Sequence, residues 1–479
     1  MNRIDHLLVE IQSPGFREKL EDIYRDAGRI SREIHRYGAA LEEFRQLFGD
    51  VPVAVFSAPG RTEIGGNHTD HQHGQVLAAS INDDAIAVAA SRTDGVIRVQ
   101  SQGYPLITLT LPGTCSGAGS STTSADNRAG SPSASADNRA GSPSTSADSR
   151  ADAPAEELLP LPEEEGTTRG LIRGMAAGLL KRGYRVGGFD AYITSEVLGG
   201  SGLSSSAAFE TLIGTILSGL YNDMSVDAVT VAKIGQYAEN VYFGKPCGLM
   251  DQMACSVGSL CFMDFADPED PKIQRVDFDL AAADFCLCIT DTRGSHADLT
   301  PDYAAVPAEM KAVAAHFGKD VLRDVPEDIF RESIPALRAE LGDRPILRAI
   351  HFYEENRRAA AEAAALRSGD MEGFLRCVRA SGESSYKFLQ NVYTSRDVQH
   401  QNVSLALAVS ESVLGLAAGP DSLSDTGVAR VHGGGFAGTI QAFVPAGKAD
   451  LYRSAMDSLF GSGACMVLQI RKYGGIRVL

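Results

Sequence analysis

The stretch Glu196-Val197-Leu198-Gly199-Gly200-Ser201-Gly202-Leu203-Ser204-Ser205-Ser206-Ala207-Ala208 constrains this 479-residue chain more than any other. A strand-like run from Gly188 to Thr194 enters it and an apolar helix through Leu220 leaves it, so strand must become helix across a glycine-rich turn. Gly199, Gly200 and Gly202 allow a tight turn, and the first turn of the helix presents N–H groups without intrahelical partners. Those groups attract an anion, and Ser204, Ser205 and Ser206 add hydroxyls, one of which could reach a magnesium ion. The stretch reads either as a phosphate cradle or as a serine N-cap behind a glycine turn. It lacks the Lys of a Walker A loop and the third Gly of a dinucleotide fingerprint.

Three other segments are dense in groups that bind or react. The run from Ala58 to Gly74, set between two strands, carries Arg61, Asn67, His68 and Asp70, which could hydrogen-bond several hydroxyls. His68, Asp70, His71 and His73 are also zinc-ligand types, but their His-x-Asp-His-x-His order fits no zinc spacing; a solvated loop is the plain alternative. Pro246-Cys247-Gly248-Leu249-Met250-Asp251-Gln252 sets Asp251 among apolar neighbours, as a tuned carboxylate or a helix cap, with Glu239 upstream at a helix end. His432-Gly433-Gly434-Gly435 is shared with esterase oxyanion loops, but no Gly-x-Ser-x-Gly elbow accompanies it, so the hydrolase reading fails.

Lys and Arg number 44 against 61 Asp and Glu, a formal charge of −17, which argues against binding nucleic acid or a membrane surface non-specifically. No apolar run approaches the roughly 20 residues of a membrane span, and Met1 to Gln12 lacks a secretory apolar core, so a cytoplasmic protein is expected. The eight cysteines have no zinc-ribbon spacing, and Cys286-Leu287-Cys288 reads as thiols in a buried strand.

Residues 1–50 read as helical, with Ile30, Ile34, Leu41, Phe44 and Leu47 at near-helical spacing. Strands are expected over Val51–Ser57, Gln75–Ala79, Ala85–Ala90, Val96–Ser101 and Leu106–Leu111. Residues 124–155 carry an 11-residue repeat of Ser, Ala, Asp, Asn, Gly and Pro with no apolar residue larger than Ala, so 113–160 is expected to be a disordered insertion. Beyond it, helices are expected over Thr168–Lys181, Asp227–Phe243, Leu347–Arg367 and Val403–Leu416. Strands over Leu260–Phe265, Phe285–Thr290, Val428–Val431, Thr439–Val444 and Met466–Ile470 complete an α+β chain in two lobes.

Taken in order, the motifs resemble those of the GHMP sugar kinases, and of galactokinases within them. Gly60-Arg61 with Gly66-Asn67-His68-Thr69-Asp70 is similar to the family's opening signature. Gly202 to Ala207 matches its Gly-Leu-Ser-Ser-Ser-Ala loop, Gly248 to Gln252 its Gly-Ile-Met-Asp-Gln, and Gly433 to Gly438 its late glycine loop. The resemblance runs from about Phe44 to the C-terminus, outside the insertion.

It implies a two-lobed fold, with an N-terminal lobe of the ribosomal protein S5 domain 2-like kind and a ferredoxin-like C-terminal lobe. The corresponding divisions are a helical extension over 1–40, the first lobe over 41–275 and the second over 276–479. It implies ATP and Mg²⁺, and a sugar phosphorylated at its anomeric hydroxyl. Asp251 and Arg61 would be catalytic. Asn67, His68, Asp70, Gly248 and Tyr303 would bind the sugar. Gly200, Ser201, Gly202, Leu203, Ser204, Ser205 and Ser206 would cradle the phosphates, with Ser206 and Glu239 holding the metal. A monomer without nucleic-acid or membrane partners is expected.

The chain departs from the family at the sugar. Asn67 stands where galactokinases place a sugar-binding Glu, Glu63 where they have Asn, and His71-Gln72 where they have Tyr-Asn. An Asn loses the charge-assisted bond that a carboxylate makes to a hydroxyl. N-acetylgalactosamine, galacturonate and arabinose therefore compete with galactose as acceptors. A non-catalytic sugar sensor and a mevalonate- or homoserine-type kinase compete with the sugar-kinase reading itself. Against the sensor, the serine loop, Arg61 and Asp251 are complete; against the second kinase type, His68-Thr69-Asp70 points to a sugar.

Overall fold

A computed structural model describes residues 1–112, 158–197, 199, 202–295, 299–416, 419 and 422–479. The expected insertion lies almost wholly outside the described residues, as do Gly200 and Ser201 of the serine loop.

Three helices open the chain: α1 (Ile4–Glu10), α2 (Pro14–Tyr24) and α3 (Ile30–Phe48). An eight-stranded sheet follows, built from β1 (Ala54–Gly65), β2 (Gln75–Ser91), β3 (Val96–Ser101), β4 (Ile107–Thr110), β5 (Phe189–Ser195), β6 (Leu260–Asp264) and β7 (Lys272–Arg275), with β12 (Ile476–Arg477) returning from the C-terminus. Its order is β12-β1-β2-β5-β3-β4, with β6 and β7 off β2; β3 and β5 run parallel and the other pairs antiparallel. Helices α4 (Thr168–Lys181), α5 (Ser205–Tyr221), α6 (Ala228–Tyr237) and α7 (Met250–Val257) belong to the same half. Phe56, Ile97, Met175, Phe189, Leu212 and Ile216 share the core between helices and sheet.

The second lobe has the strands β8 (Phe285–Asp291), β9 (Val428–His432), β10 (Thr439–Pro445) and β11 (Cys465–Leu468) in the antiparallel order β11-β8-β10-β9. Numbered within the lobe this is 4-1-3-2, with helices between the first and second strands and between the third and fourth: the ferredoxin-like arrangement. Those helices are α8 (Thr300–His316), α9 (Glu327–Glu332), α10 (Ile334–Leu341), α11 (Asp343–Ser368), α12 (Met371–Ser384) and α13 (Asn402–Leu414), then α14 (Ala449–Phe460). No helix among the described residues is long and apolar enough to cross a membrane.

Several local expectations are corrected. The two short strands expected at 75–79 and 85–90 are one 17-residue strand, and β1 runs on to Gly65, so Arg61 and Glu63 sit on a strand and not on a loop. Bulges between Pro59 and Arg61 and between Glu63 and Gly65 bend β1 beside Arg61. The helix expected over 227–243 changes at Ala238 into a π-helical turn, Ala238–Phe243, which carries Glu239. The C-terminal residues do not stay with the second lobe: β12 covers the edge of β1, and Val478 joins the core beneath the first three helices.

That core gives residues 1–40 a place. Leu7, Leu20, Ile23, Tyr37 and Phe44 pack on Val55, Ile86, Val88 and Tyr192 of the sheet. Between them lies a buried ionic centre. Asp84 of β2 accepts from Arg36 (2.6 Å), Arg471 (2.9 Å), Tyr24 (2.9 Å) and Ser57. Asp84→Ala strands Arg36 and Arg471 without their carboxylate, and is expected to destabilise the protein by about 3–5 kcal/mol. Denaturant unfolding against the parent protein checks this.

Candidate active site

The residue at the N-cap position of α5, Ser204, adopts a left-handed backbone conformation (φ 58°), and its side chain does not cap the helix. Its hydroxyl donates to the Asp251 carboxylate instead. The N-cap reading therefore fails, and the first-turn N–H groups of a 17-residue helix remain for a ligand.

Arg61 ties this helix mouth to α7. Its Nε and Nη2 donate to the two Asp251 oxygens at 2.7 and 2.9 Å, and Nη1 donates to the Gly202 carbonyl. Its backbone N–H donates to the Leu203 carbonyl at 3.1 Å. The guanidinium is almost fully buried, whereas a third of the Asp251 side chain is exposed, so the carboxylate faces the cleft. Burial pushes the Asp251 carboxyl up, but the charge and hydrogen bonds of Arg61, with the Ser204 bond, outweigh it and hold its pKa below the usual value. Gly202 (φ 72°) has no room for a side chain, since a Cβ would lie 2.5 Å from Thr439 Oγ1 across the cleft.

A second cluster lies one helical turn further on. Ser206 Oγ donates to Glu239 Oε1 at 3.2 Å, and Lys245 Nζ reaches the same oxygen at 2.9 Å. Gln252 Nε2 bridges Glu239 (2.7 Å) and the fully buried Glu210 (3.1 Å), leaving Glu210 Oε1 and Gln252 Oε1 without partners. Sequence reasoning passed over Glu210, although it stands one turn after Ser206. Oxygen donors, two of them carboxylates and some unsatisfied, suit a hard divalent cation.

The third cluster is the turn after β1. His68 has positive φ (58°), and its Nε2–H donates to the Gly434 carbonyl at 3.2 Å. The Tyr303 hydroxyl donates to the Gly435 carbonyl at 2.9 Å, and its ring stands edge-on to Phe436. Asp70 packs against Gly248 so closely that a Cβ there would lie 1.8 Å from Oδ2. Burial, then the charges of Asp251 and Glu63, raise the Asp70 carboxyl to about 7, opposed by backbone N–H bonds from His71 and Met250.

Asn67 does not face the cleft. It is fully buried, donates to Glu63 (2.9 Å) and the Gly433 carbonyl (2.8 Å), and accepts from Asn391 (2.9 Å), so its amide is spent inside the protein. Glu63 in turn pairs with buried Arg430 at 2.8 Å. His351 donates to the Asn67 carbonyl at 2.9 Å, and Glu355 accepts from the N–H groups of Gly66 and Asn67. These supports were missed in the sequence. Their signal was the spacing of His351, Glu355 and Glu362, which puts three ionisable residues on one face of α11, all three buried.

The chain matches the galactokinase galactose-binding signature over residues 42–91 and the N-terminal domain of GHMP kinases over 170–259. It is 28% identical to a Streptomyces coelicolor galactokinase over 432 residues, covering 89% of this chain and 93% of the relative. A Lactobacillus helveticus galactokinase is 27% identical over 425 residues, covering 88% and 93%. The fold is shared with the crystal structure of Lactococcus lactis galactokinase complexed with galactose, with a TM-score of 0.70 at 23% identity over 92% of this chain and 100% of that one. Lobes and matched stretches are similar to those of kinases of the GHMP superfamily. Within that superfamily, the matched sugar-binding signature and both of these relatives are those of galactokinases.

Proposed function

We propose that the protein transfers the γ-phosphoryl group of ATP to the anomeric hydroxyl of galactose, giving galactose 1-phosphate and ADP. The observation that carries this reading is the Arg61–Asp251 pair, bonded on one side to Gly202 and Ser204 at the mouth of an uncapped helix and open to the cleft on the other.

In this reading the N–H groups at the start of α5 and the hydroxyls of Ser204 to Ser206 hold the ATP phosphates. Asp251, kept ionised by Arg61, accepts a hydrogen bond from the anomeric hydroxyl and orients its oxygen for in-line attack. A depressed pKa suits an orienting acceptor better than a strong base, and phosphoryl transfer asks mainly for positioning and charge stabilisation. Arg61 offsets charge developing on the attacking oxygen and the transferred group. Ser206 and Glu239 fit a magnesium site, with Gln252 fixing the rotamer of Glu239. Bound Mg²⁺ supplies neutralisation of the β- and γ-phosphate oxygens.

His68, Asp70, Gly248 and Tyr303 frame the sugar, while Asn67 works behind them by fixing His68 against the Gly433–Gly438 loop. Asp70 is neutral below its pKa of about 7 and ionised above it, and the ionised form is the stronger acceptor for a sugar hydroxyl. The value of kcat/KM for the sugar is accordingly expected to rise through pH about 7 and level off above it. Asp70→Asn is expected to flatten that limb. We read the protein as a cytoplasmic monomer, in line with its −17 charge and the free thiols of its described cysteines.

ADP release from MgATP, measured with galactose, N-acetylgalactosamine, galacturonate and arabinose in parallel, tests the proposal. Galactose is expected to give the highest kcat/KM. Release with none of the four would remove the kinase reading, and preference for another sugar would reassign the acceptor.

A further inference from the structure

The described residues at the entry and the exit of the serine loop are both anchored, and only one anchor belongs to the proposed chemistry of transfer. At its exit, Arg61 and Asp251 hold Gly202, Leu203 and Ser204. At its entry stands Glu196, directly after β5, whose backbone N–H donates to the Asp84 carbonyl at 2.9 Å. Its carboxylate meets three arginines of the N-terminal helices: Arg29, Arg32 at 2.9 Å and Arg36 at 3.7 Å. Arg36 also donates to the backbone carbonyls of Asp84 (2.9 Å) and Thr194 (3.1 Å), gripping the interior of β2 and the end of β5, the strand that leads to the loop.

These arginines recur at i, i+3 and i+7, a spacing that lines one helix face. The cluster is balanced: Arg29, Arg32, Arg36 and Arg471 meet Glu33, Asp83, Asp84 and Glu196. Glu196 lies inside the matched stretch 170–259, whereas all three arginines of the helix lie before residue 42, outside both matched stretches. Loop and clamp thus come from separate parts of the chain, and the helices that carry the clamp are fixed by their own core of Leu7, Leu20, Ile23 and Tyr37.

We infer that the N-terminal helices are a positioning element for the nucleotide, with Arg29 and Arg32 fixing Glu196 and so setting the entry of the phosphate-binding loop. Two physical effects follow, and the inference rests on the kinase reading of the site. The clamp limits the orientations of the chain entering the loop at Glu196, which lowers the entropic cost of ordering it on a phosphate. It also neutralises a carboxylate that would otherwise stand, unpaired and partly buried, at the approach of a polyanion. Arg29, Arg32 and Glu196 are positioning residues, since they act through the loop.

Arg32→Ala is the cleanest variant, because Arg32 is 59% exposed and its two partners, Glu196 and buried Glu33, both keep Arg29 and Arg36. Glu196→Gln removes the charge at constant size, and Arg32→Lys tests rescue. In Arg32→Ala and Glu196→Gln, the KM for MgATP and the dissociation constant of the fluorescent nucleotide mant-ADP are expected to rise about five- to tenfold, with sugar KM within about twofold of the parent. Arg32→Lys is expected to recover most of the loss. Unchanged nucleotide binding in folded Arg32→Ala protein, or equal rises in both KM values, would overturn the inference. Should Glu196→Gln fail to fold, Arg32→Ala decides. Equilibrium mant-ADP binding needs no turnover, so it judges the clamp even if the unsubstituted protein phosphorylates no sugar, an outcome that would strike the kinase reading alone.

Discussion

Asp251→Asn is expected to lower kcat by roughly 10²–10⁴-fold while leaving nucleotide affinity nearly unchanged. The amide keeps the size of the side chain but loses the charge that pairs with Arg61 and accepts from Ser204. In the proposed reading the nucleotide is held by groups this change does not remove: the N-terminus of α5, Ser206 and Glu239. Arg61 becomes an unpaired, nearly buried cation, so some loss of stability accompanies the change and is measured separately as a shift in Tm. A fall in kcat with intact mant-ADP binding and a folded protein assigns Asp251 to the transferred group's acceptor. A parallel collapse of both would mean that Asp251 merely holds the loop in shape.

The second large effect is expected at Glu239. Glu239→Gln should raise the Mg²⁺ concentration for half-maximal activity by at least about tenfold, and weaken Mn²⁺ binding to the ADP complex, followed by electron paramagnetic resonance, to a similar degree. Glu239 shares one oxygen between Ser206 and Lys245 and gives the other to Gln252, so its carboxylate is already oriented toward the loop. The substitution also frees Lys245 from its partner. Glu239→Gln combined with Lys245→Met therefore separates the loss of a metal ligand from the release of a nearby cation: the metal defect should persist in the double variant. Sugar affinity is expected to hold in both.

What was legible in the sequence was local, and what was not depended on distant partners. The serine loop declared itself because glycines, hydroxyls and a helix start impose their chemistry over about ten residues. Asp251 and Arg61 were found by motif, but their bidentate pairing joins β1 to α7 across 190 residues. The gap left between the strands expected at 75–79 and 85–90 holds Asn82-Asp83-Asp84; in the fold the three are buried in a continuous strand. Asn82 donates to the Tyr24 carbonyl, Asp83 meets Arg29, and Asp84 meets Arg36 and Arg471, all supplied by the two ends of the chain. The same cause hid the turning of Asn67 away from the cleft, since its amide is claimed by Glu63, Gly433 and Asn391. Polarity in a local pattern marks exposure only when no remote partner satisfies it.

The exchange of Glu and Asn between positions 63 and 67 acquires a structural meaning. The carboxylate now sits on β1, paired with Arg430, and the amide bridges it to the Gly433 carbonyl. With both groups satisfied in the interior, the proposed reading leaves Asp70, His68 and Tyr303 as the polar side chains offered to the sugar.

In the proposed reaction this arrangement moves a phosphoryl group from ATP to the first carbon's hydroxyl of galactose. Phosphorus NMR of the protein with MgATP and galactose tests it most directly, because it identifies both the product and the oxygen that carries the phosphate. Loss of the γ-phosphate signal with matching appearance of galactose 1-phosphate and ADP is expected, slowed by roughly the same 10²–10⁴-fold in Asp251→Asn. Phosphate on another hydroxyl, release of inorganic phosphate alone, or an unchanged ATP spectrum would contradict it.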